Sequence, residues 1–136
     1  MALHAFSRTE LLVGADALER LQHVRIAVFG IGGVGGYAVE ALARSSVGAI
    51  DLIDDDRICL TNLNLQLHAL RNTIGKYKVD VAKERILQIH PDCQVQVHHM
   101  FYMPETADQL DFSAYDYLID AVDTVTAKID LAVRAN

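Results

Sequence analysis

Three glycines, Gly30, Gly32 and Gly35, stand between the β-branched run 24-VRIAVF-29 and a helical apolar run. In that setting a glycine turn opens a helix whose first backbone N–H groups lack partners, and such a turn accepts a phosphate. Gly30 permits the tight turn. Gly32 and the helix-opening Gly33 let backbone amides approach an anion, and Gly35 allows the helix to close on the sheet. Asp54, at the end of the next strand, suits the hydroxyls of a ribose. A nicotinamide dinucleotide and a plain nucleotide satisfy these features equally.

The segment after the second strand separates them. The block 54-DDDRICLTNLNLQLHAL-70 gathers Asp54, Asp56, Thr61, Asn62, Asn64 and Gln66 near the strand end. Amide side chains donate and accept, so they can hold a polyphosphate or an adenosine without adding charge. A loop capped by Asx turns explains the same spacing as well. Further on, Lys78 falls in the first turns of a helix, and 120-DAVD-123 closes a strand with the carboxylates of Asp120 and Asp123. Carboxylates facing a phosphate call for a divalent cation between them, and Mg²⁺ takes one or two carboxylates plus phosphate oxygens. ATP needs that cation; a nicotinamide cofactor does not.

The elements that must position these residues alternate along the chain. In 9-TELLVGADALERLQ-22, Leu11, Leu18 and Leu21 recur at helical spacing, which predicts a helical arm over residues 1–22 broken near Gly14. Strands are predicted at 24–29, 49–54, 94–99 and 115–122. Helices are predicted from Gly33, with Val34, Ala38, Ala41 and Leu42 on one side, and over 76–89, with Val79, Ala82, Ile86 and Ile89 inward and Pro91 closing it. A short helix begins at Pro104, and a last one covers 125–136. This order predicts an α/β, Rossmann-like, doubly wound, mainly parallel sheet with helices on both faces, forming a single nucleotide-binding domain over 1–136. The chain is expected to be the N-terminal part of a longer protein, cut after the fourth strand and its helix. The ligand belongs beyond the carboxyl ends of the strands.

Composition narrows the partners. With 136 residues, 51% of them hydrophobic, the chain suits one soluble domain with one substantial core. No run approaches a membrane span and no signal segment opens the chain, so the cytoplasm is the default location. A formal net charge of −6 suits a nucleic-acid duplex poorly, and the basic residues of 71-RNTIGKYKVDVAKER-85 read as a solvated helix face. Cys59 and Cys93 show no ligand or redox spacing and read as free buried thiols. The six histidines offer no metal spacing and read as ordinary surface or half-buried side chains.

The arm 6-FSRTELL-12, the turn GIGGVG, the block IDDDRICLTNLN, the helix start GKYKVDVAKERI and the strand end IDAVDT, taken together, resemble the ubiquitin-activating-type adenylyltransferases, the group of the molybdopterin- and thiamin-synthesis activating enzymes. The resemblance runs from Phe6 to Asn136. Within that family the turn and TNLNLQLHALRNTIGK are similar to the tRNA threonylcarbamoyladenosine dehydratase branch. The resemblance implies an ATP-dependent enzyme that activates a carboxylate as an acyl-adenylate, works as a homodimer and, in this branch, cyclises the threonylcarbamoyl group on tRNA. By matching positions it implies that Asp54 holds the ribose, that Asn62 and Lys78 contact the phosphates, and that Asp123 holds Mg²⁺, with Asp56 a second candidate. Arg8 matches an arm arginine that reaches the ATP of the partner subunit.

Two features depart from the family. An arginine usually follows the asparagine block, and here 62-NLNLQ-66 places Leu65 there, so ATP binding is expected to survive better than adenylation. The family also continues well past residue 136, and neither Cys59 nor Cys93 matches a catalytic cysteine of the missing part. Two other readings stay open from the residues alone: an NAD-dependent oxidoreductase fragment, and a non-catalytic nucleotide-binding or partner-docking module.

Overall fold

The computed structural model describes residues 2–136. It begins with two short helices, α1 (Ser7–Val13) and α2 (Ala15–Gln22), divided by Gly14 at φ +89°. That left-handed backbone is cheap only for glycine, so the break lies where the sequence predicts it.

Four strands come next, β1 (Arg25–Phe29), β2 (Ala49–Ile53), β3 (Gln94–His98) and β4 (Tyr117–Asp120), all parallel in the order β3-β2-β1-β4. The two central strands are buried over four of their five residues, as a parallel sheet covered on both faces requires. Alternation along them sorts the core into two layers. Ile26, Val28, Ile50 and Leu52 face α3 (Gly33–Arg44) and α4 (Lys78–Ile89), where Val39, Ala43, Val79, Ala82 and Ile86 meet them. Ala27, Phe29 and Ile53 face the other side, against Tyr102, the 3₁₀ turn Pro104–Gln109 and α5 (Val125–Arg134). The doubly wound sheet is therefore present. β2 and β4 lie on opposite sides of β1, so the chain reverses direction across the sheet at the carboxyl end of β1, where ligands bind in such folds. Among the described residues no helix is long and apolar enough to cross a membrane.

The inward face of α3 differs from the expected one. Val34 is 73% exposed and Ala41 is exposed, whereas Gly35, Gly36, Val39 and Ala43 are buried. The helix lays bare backbone on the sheet: a Cβ at position 35 would lie 1.7 Å from the Gly30 carbonyl oxygen. Side-chain hydropathy misses a contact made by glycines. The thiols also part company, since Cys93 is buried but Cys59 is exposed on the irregular segment after β2. Burial pushes the Cys93 thiol up to about 11.

One charged side chain lies inside the second layer. Asp51 of β2 is 1% exposed and accepts hydrogen bonds from Arg25 Nε (2.9 Å) and Nη2 (3.1 Å), His98 Nε2 (2.8 Å) and the Tyr115 hydroxyl (3.0 Å). Burial pushes its carboxyl up, but the donors on His98, Arg25 and Tyr115 outweigh it and hold the group below the usual carboxylate range.

Candidate functional site

A cleft of about 390 Å³ opens where β1 and β4 end, and its walls bring together Gly30, Gly32, Asp54, Gln66, Lys78 and Asp123. Its floor is the glycine turn. Gly30 sits at φ +93°, and a Cβ there would approach the Ala121 carbonyl oxygen to 2.5 Å, so both the conformation and the space exclude a side chain. Gly32 precedes α3 and makes no side-chain cap, which leaves the first amides of the helix without a capping side chain. Among the described residues no hydrogen bond takes the Gly32 N–H either. Free amides and the positive end of a helix dipole thus face the cleft, a setting that favours an anion.

Asp54 braces that turn from the end of β2. Its Oδ2 accepts the Ile31 N–H at 2.7 Å and its Oδ1 accepts the Asp56 N–H at 2.8 Å. Each oxygen keeps a further lone pair for a ligand hydroxyl. Lys78 is the first residue of α4, with its side chain only 7% exposed. Its ion-pair partner among the described residues is Asp56 Oδ2 at 3.7 Å, itself 68% exposed. A buried ammonium with so loose a partner is costly unless something anionic joins it.

Gln66 adds an orphan. Its Oε1 is buried without a hydrogen-bond partner, while its amide end lies beside Gly32. The sequence places Gln66 in the polar block but gives it no role of its own. Phe101, 54% exposed, lines the cleft as a flat apolar wall, and nothing in its sequence neighbourhood singles it out. Asp123 is exposed in the loop between β4 and α5 and lines the cleft with no hydrogen bond to other described residues. The carboxylates of Asp54, Asp55 and Asp56 approach one another within 4.8 Å, and Asp54 and Asp56 line the cleft.

Three expected neighbours stand elsewhere. Asn62 does not line the cleft: its Oδ1 accepts the Cys59 N–H at 2.9 Å and caps a 3₁₀ turn, Leu60–Asn62, the use that short amides commonly find in loops. Asp120 pairs with Lys128 at 3.1 Å and accepts the Val122 N–H, so one carboxylate of 120-DAVD-123 points away from the cleft. Arg8 is exposed on α1 and belongs to no wall of the cleft in its own chain. The basic stretch 71–85 is only partly a solvated face, because Lys78 is buried and Arg85 is bound to Glu40. Leu65 occupies the cleft rim, 53% exposed, with its Cδ1 against Gly33.

Comparison with known proteins bears on this geometry. The sequence model of the ThiF family matches residues 6–136. The tRNA threonylcarbamoyladenosine dehydratase of Bacillus subtilis (strain 168) is 52% identical over 129 residues, covering 95% of this chain and 51% of that protein. The protein of the same name from Escherichia coli (strain K12) is 48% identical over 126 residues, covering 93% of this chain and 47% of its own length. The crystal structure of the E. coli enzyme in complex with ATP superposes with a TM-score of 0.90 at 47% identity, covering 93% of this chain and 52% of that one. A further structure of that enzyme holds AMP, with a TM-score of 0.91. The chain spans about half the length of the curated relatives it matches.

Proposed function

The chain belongs to the ThiF family, and we propose that it forms the nucleotide-binding portion of an ATP-dependent adenylating enzyme that activates a carboxylate, in the cytoplasm, during cyclisation of threonylcarbamoyladenosine on tRNA. The observation that carries this reading is the convergence on one cleft of the Gly32 amide, which donates to no described residue, and the Lys78 ammonium, whose side chain is 7% exposed and whose carboxylate partner stands at 3.7 Å and is itself 68% exposed. A free backbone donor and a loosely paired cation fit a polyphosphate. The ATP and AMP complexes of the E. coli relative support the same ligand.

The chemistry is dictated by the charges. A substrate carboxylate is already a nucleophile at neutral pH, so the site need only align it with the α-phosphate and neutralise the charge that builds there. Lys78 supplies that charge from within the cleft, while the turn amides and Gln66 hold the phosphates. Asp54 receives the ribose, and Phe101 offers its ring to the base. The carboxylate oxygen bonds to the α-phosphorus as the bond to pyrophosphate breaks, leaving an acyl-adenylate. An internal nucleophile of the same threonylcarbamoyl group then displaces AMP.

Asp123 and Asp56 both line the cleft, carry exposed carboxylates and fit the hard, oxygen-only ligand set of Mg²⁺. When bound there, the ion would neutralise phosphate charge. Arg8, outside its own cleft, fits a role across a homodimer, where the arm of one subunit reaches the nucleotide of the other.

Calorimetric titration with Mg-ATP and, separately, NAD tests the reading. Binding of Mg-ATP alone, weakened by Asp123→Ala, supports it; binding of NAD in its place moves the chain to the oxidoreductases.

A further inference from the structure

The peptide between Ile31 and Gly32 is held on one side only. Ile31 is fully buried, its N–H donates to Asp54 at 2.7 Å, and its carbonyl meets His68 Nε2 at 2.7 Å across 37 residues of sequence. In a trans peptide the carbonyl and the following N–H point in opposite directions. Fixing the Ile31 carbonyl toward the interior therefore turns the Gly32 N–H the other way, toward the cleft that Gly32 lines.

We infer that His68 is the positioning residue of the glycine turn, donating Nε2–H to the Ile31 carbonyl so that the Gly32 amide is presented to the nucleotide phosphates. The inference rests on the reading of the cleft as an ATP site and adds the residue that sets its floor.

The placement of His68 fits this task. It is 4% exposed and lies beneath the turn rather than in the cleft, with its ring edge against Gly36, where a Cβ would sit 3.6 Å from Cδ2. Thr73 donates its hydroxyl to the His68 carbonyl at 2.8 Å and fixes the backbone. Gln66, two residues earlier on the same loop, lines the cleft, so one loop serves both sides of the turn.

The tautomer is set by the surroundings. The ring's Nδ1 is buried without an acceptor, whereas Nε2 faces a carbonyl that can only accept, so the single proton of a neutral ring resides on Nε2. Burial pushes the imidazole pKa down; the bond to Ile31 and the charge of Asp54 oppose that shift, and nearby Lys78 adds to it. His68 touches no reacting atom and acts only through the Ile31–Gly32 peptide.

The test combines one measurement on the unaltered protein with two variants. Long-range ¹H–¹⁵N correlation spectra should show His68 as the Nε2–H tautomer; an Nδ1–H tautomer at pH 7 overturns the inference. His68→Phe keeps the ring volume and removes the donor, and it should weaken Mg-ATP binding about ten-fold while leaving adenosine affinity within about two-fold. It should also displace the Gly32 amide resonance. His68→Gln, whose amide reaches a similar position, should recover most of the Mg-ATP affinity. Equal loss for ATP and adenosine, or no loss for ATP, overturns the inference. Failure of the unaltered protein to bind Mg-ATP refutes the ATP reading and with it the role toward phosphate, while the tautomer and the Gly32 resonance still decide the peptide anchor independently.

Discussion

Two charged side chains lie buried, Asp51 in the middle of β2 and Lys78 at the start of α4, and they are treated differently. Asp51, inside the sheet layer, accepts four hydrogen bonds from Arg25, His98 and Tyr115. Lys78, in the cleft, has one exposed carboxylate at 3.7 Å, and the same cleft is lined by Gln66, whose carbonyl oxygen has no partner among the described residues. A closed set of polar partners stabilises the fold. An open set of comparable burial does little for the fold and leaves a place for a ligand of opposite charge.

The contrast predicts where each substitution registers. Asp51→Asn removes the charge that Arg25 and His98 converge on and should lower the unfolding free energy by about 3–5 kcal/mol, as breaking a buried pair does. Urea denaturation followed by circular dichroism measures it. A loss under about 1 kcal/mol would mean that the cluster is as loosely held as the cleft.

Lys78→Met reverses the expectation. Methionine fills the same apolar path without an ammonium, so stability should hold or rise. Mg-ATP affinity should fall by about ten- to hundred-fold, the worth of a charge-assisted contact to phosphate. Calorimetry and a thermal melt on the same sample read both. A large drop in melting temperature with unchanged affinity would erase the distinction between the two sites.

Acid sharpens it further. The folded-state pKa of Asp51 lies below its ordinary value of 3.8, so its contribution is fully present above that value and is lost as the pH falls toward the folded pKa. Glu40, depressed chiefly by Arg85, adds in the same direction. Unfolding free energy should therefore decline below about pH 4, and the decline should be shallower in Asp51→Asn. Parallel slopes for the two proteins would assign the acid sensitivity elsewhere.

Much of this was legible in the sequence, and the two regions differ there too. The glycine turn, the place of Asp54 at a strand end and of Lys78 at a helix start, and the order of strands and helices were readable because each is fixed by local spacing: a short apolar run, a glycine triplet, a helical period. The Asp51 cluster was not readable. Its partners stand 26, 47 and 64 residues away, and 49-AIDLID-54 reads as an apolar strand with an incidental aspartate. The resemblance matched Asn62 to a phosphate contact, and Asp120 read as a carboxylate calling for a cation beside the phosphates, but each has a nearer partner, the Cys59 amide and the Lys128 ammonium. Gln66 and His68 went the other way. Their positions against the turn depend on a loop folding back across it, which no periodicity reports.

Leu65 offers the smallest and most discriminating change. It stands where the family's arginine is expected, on the rim beside Gly33, 53% exposed. An arginine there would keep its head in solvent or over the phosphates at little cost to the fold, since long basic side chains lie along apolar surface with their charge outside. Leu65→Arg should leave stability within about 0.5 kcal/mol, as exposed substitutions usually do. It should tighten Mg-ATP binding by a few-fold, because a new charge on a half-open rim is partly screened. In a chain carrying the second half found in the relatives, ATP-pyrophosphate exchange should rise more than affinity does, since the charge it meets grows in the transition state. A gain in affinity with no gain in exchange would mean that the rim takes part in holding ATP and that Leu65 is not what limits adenylation.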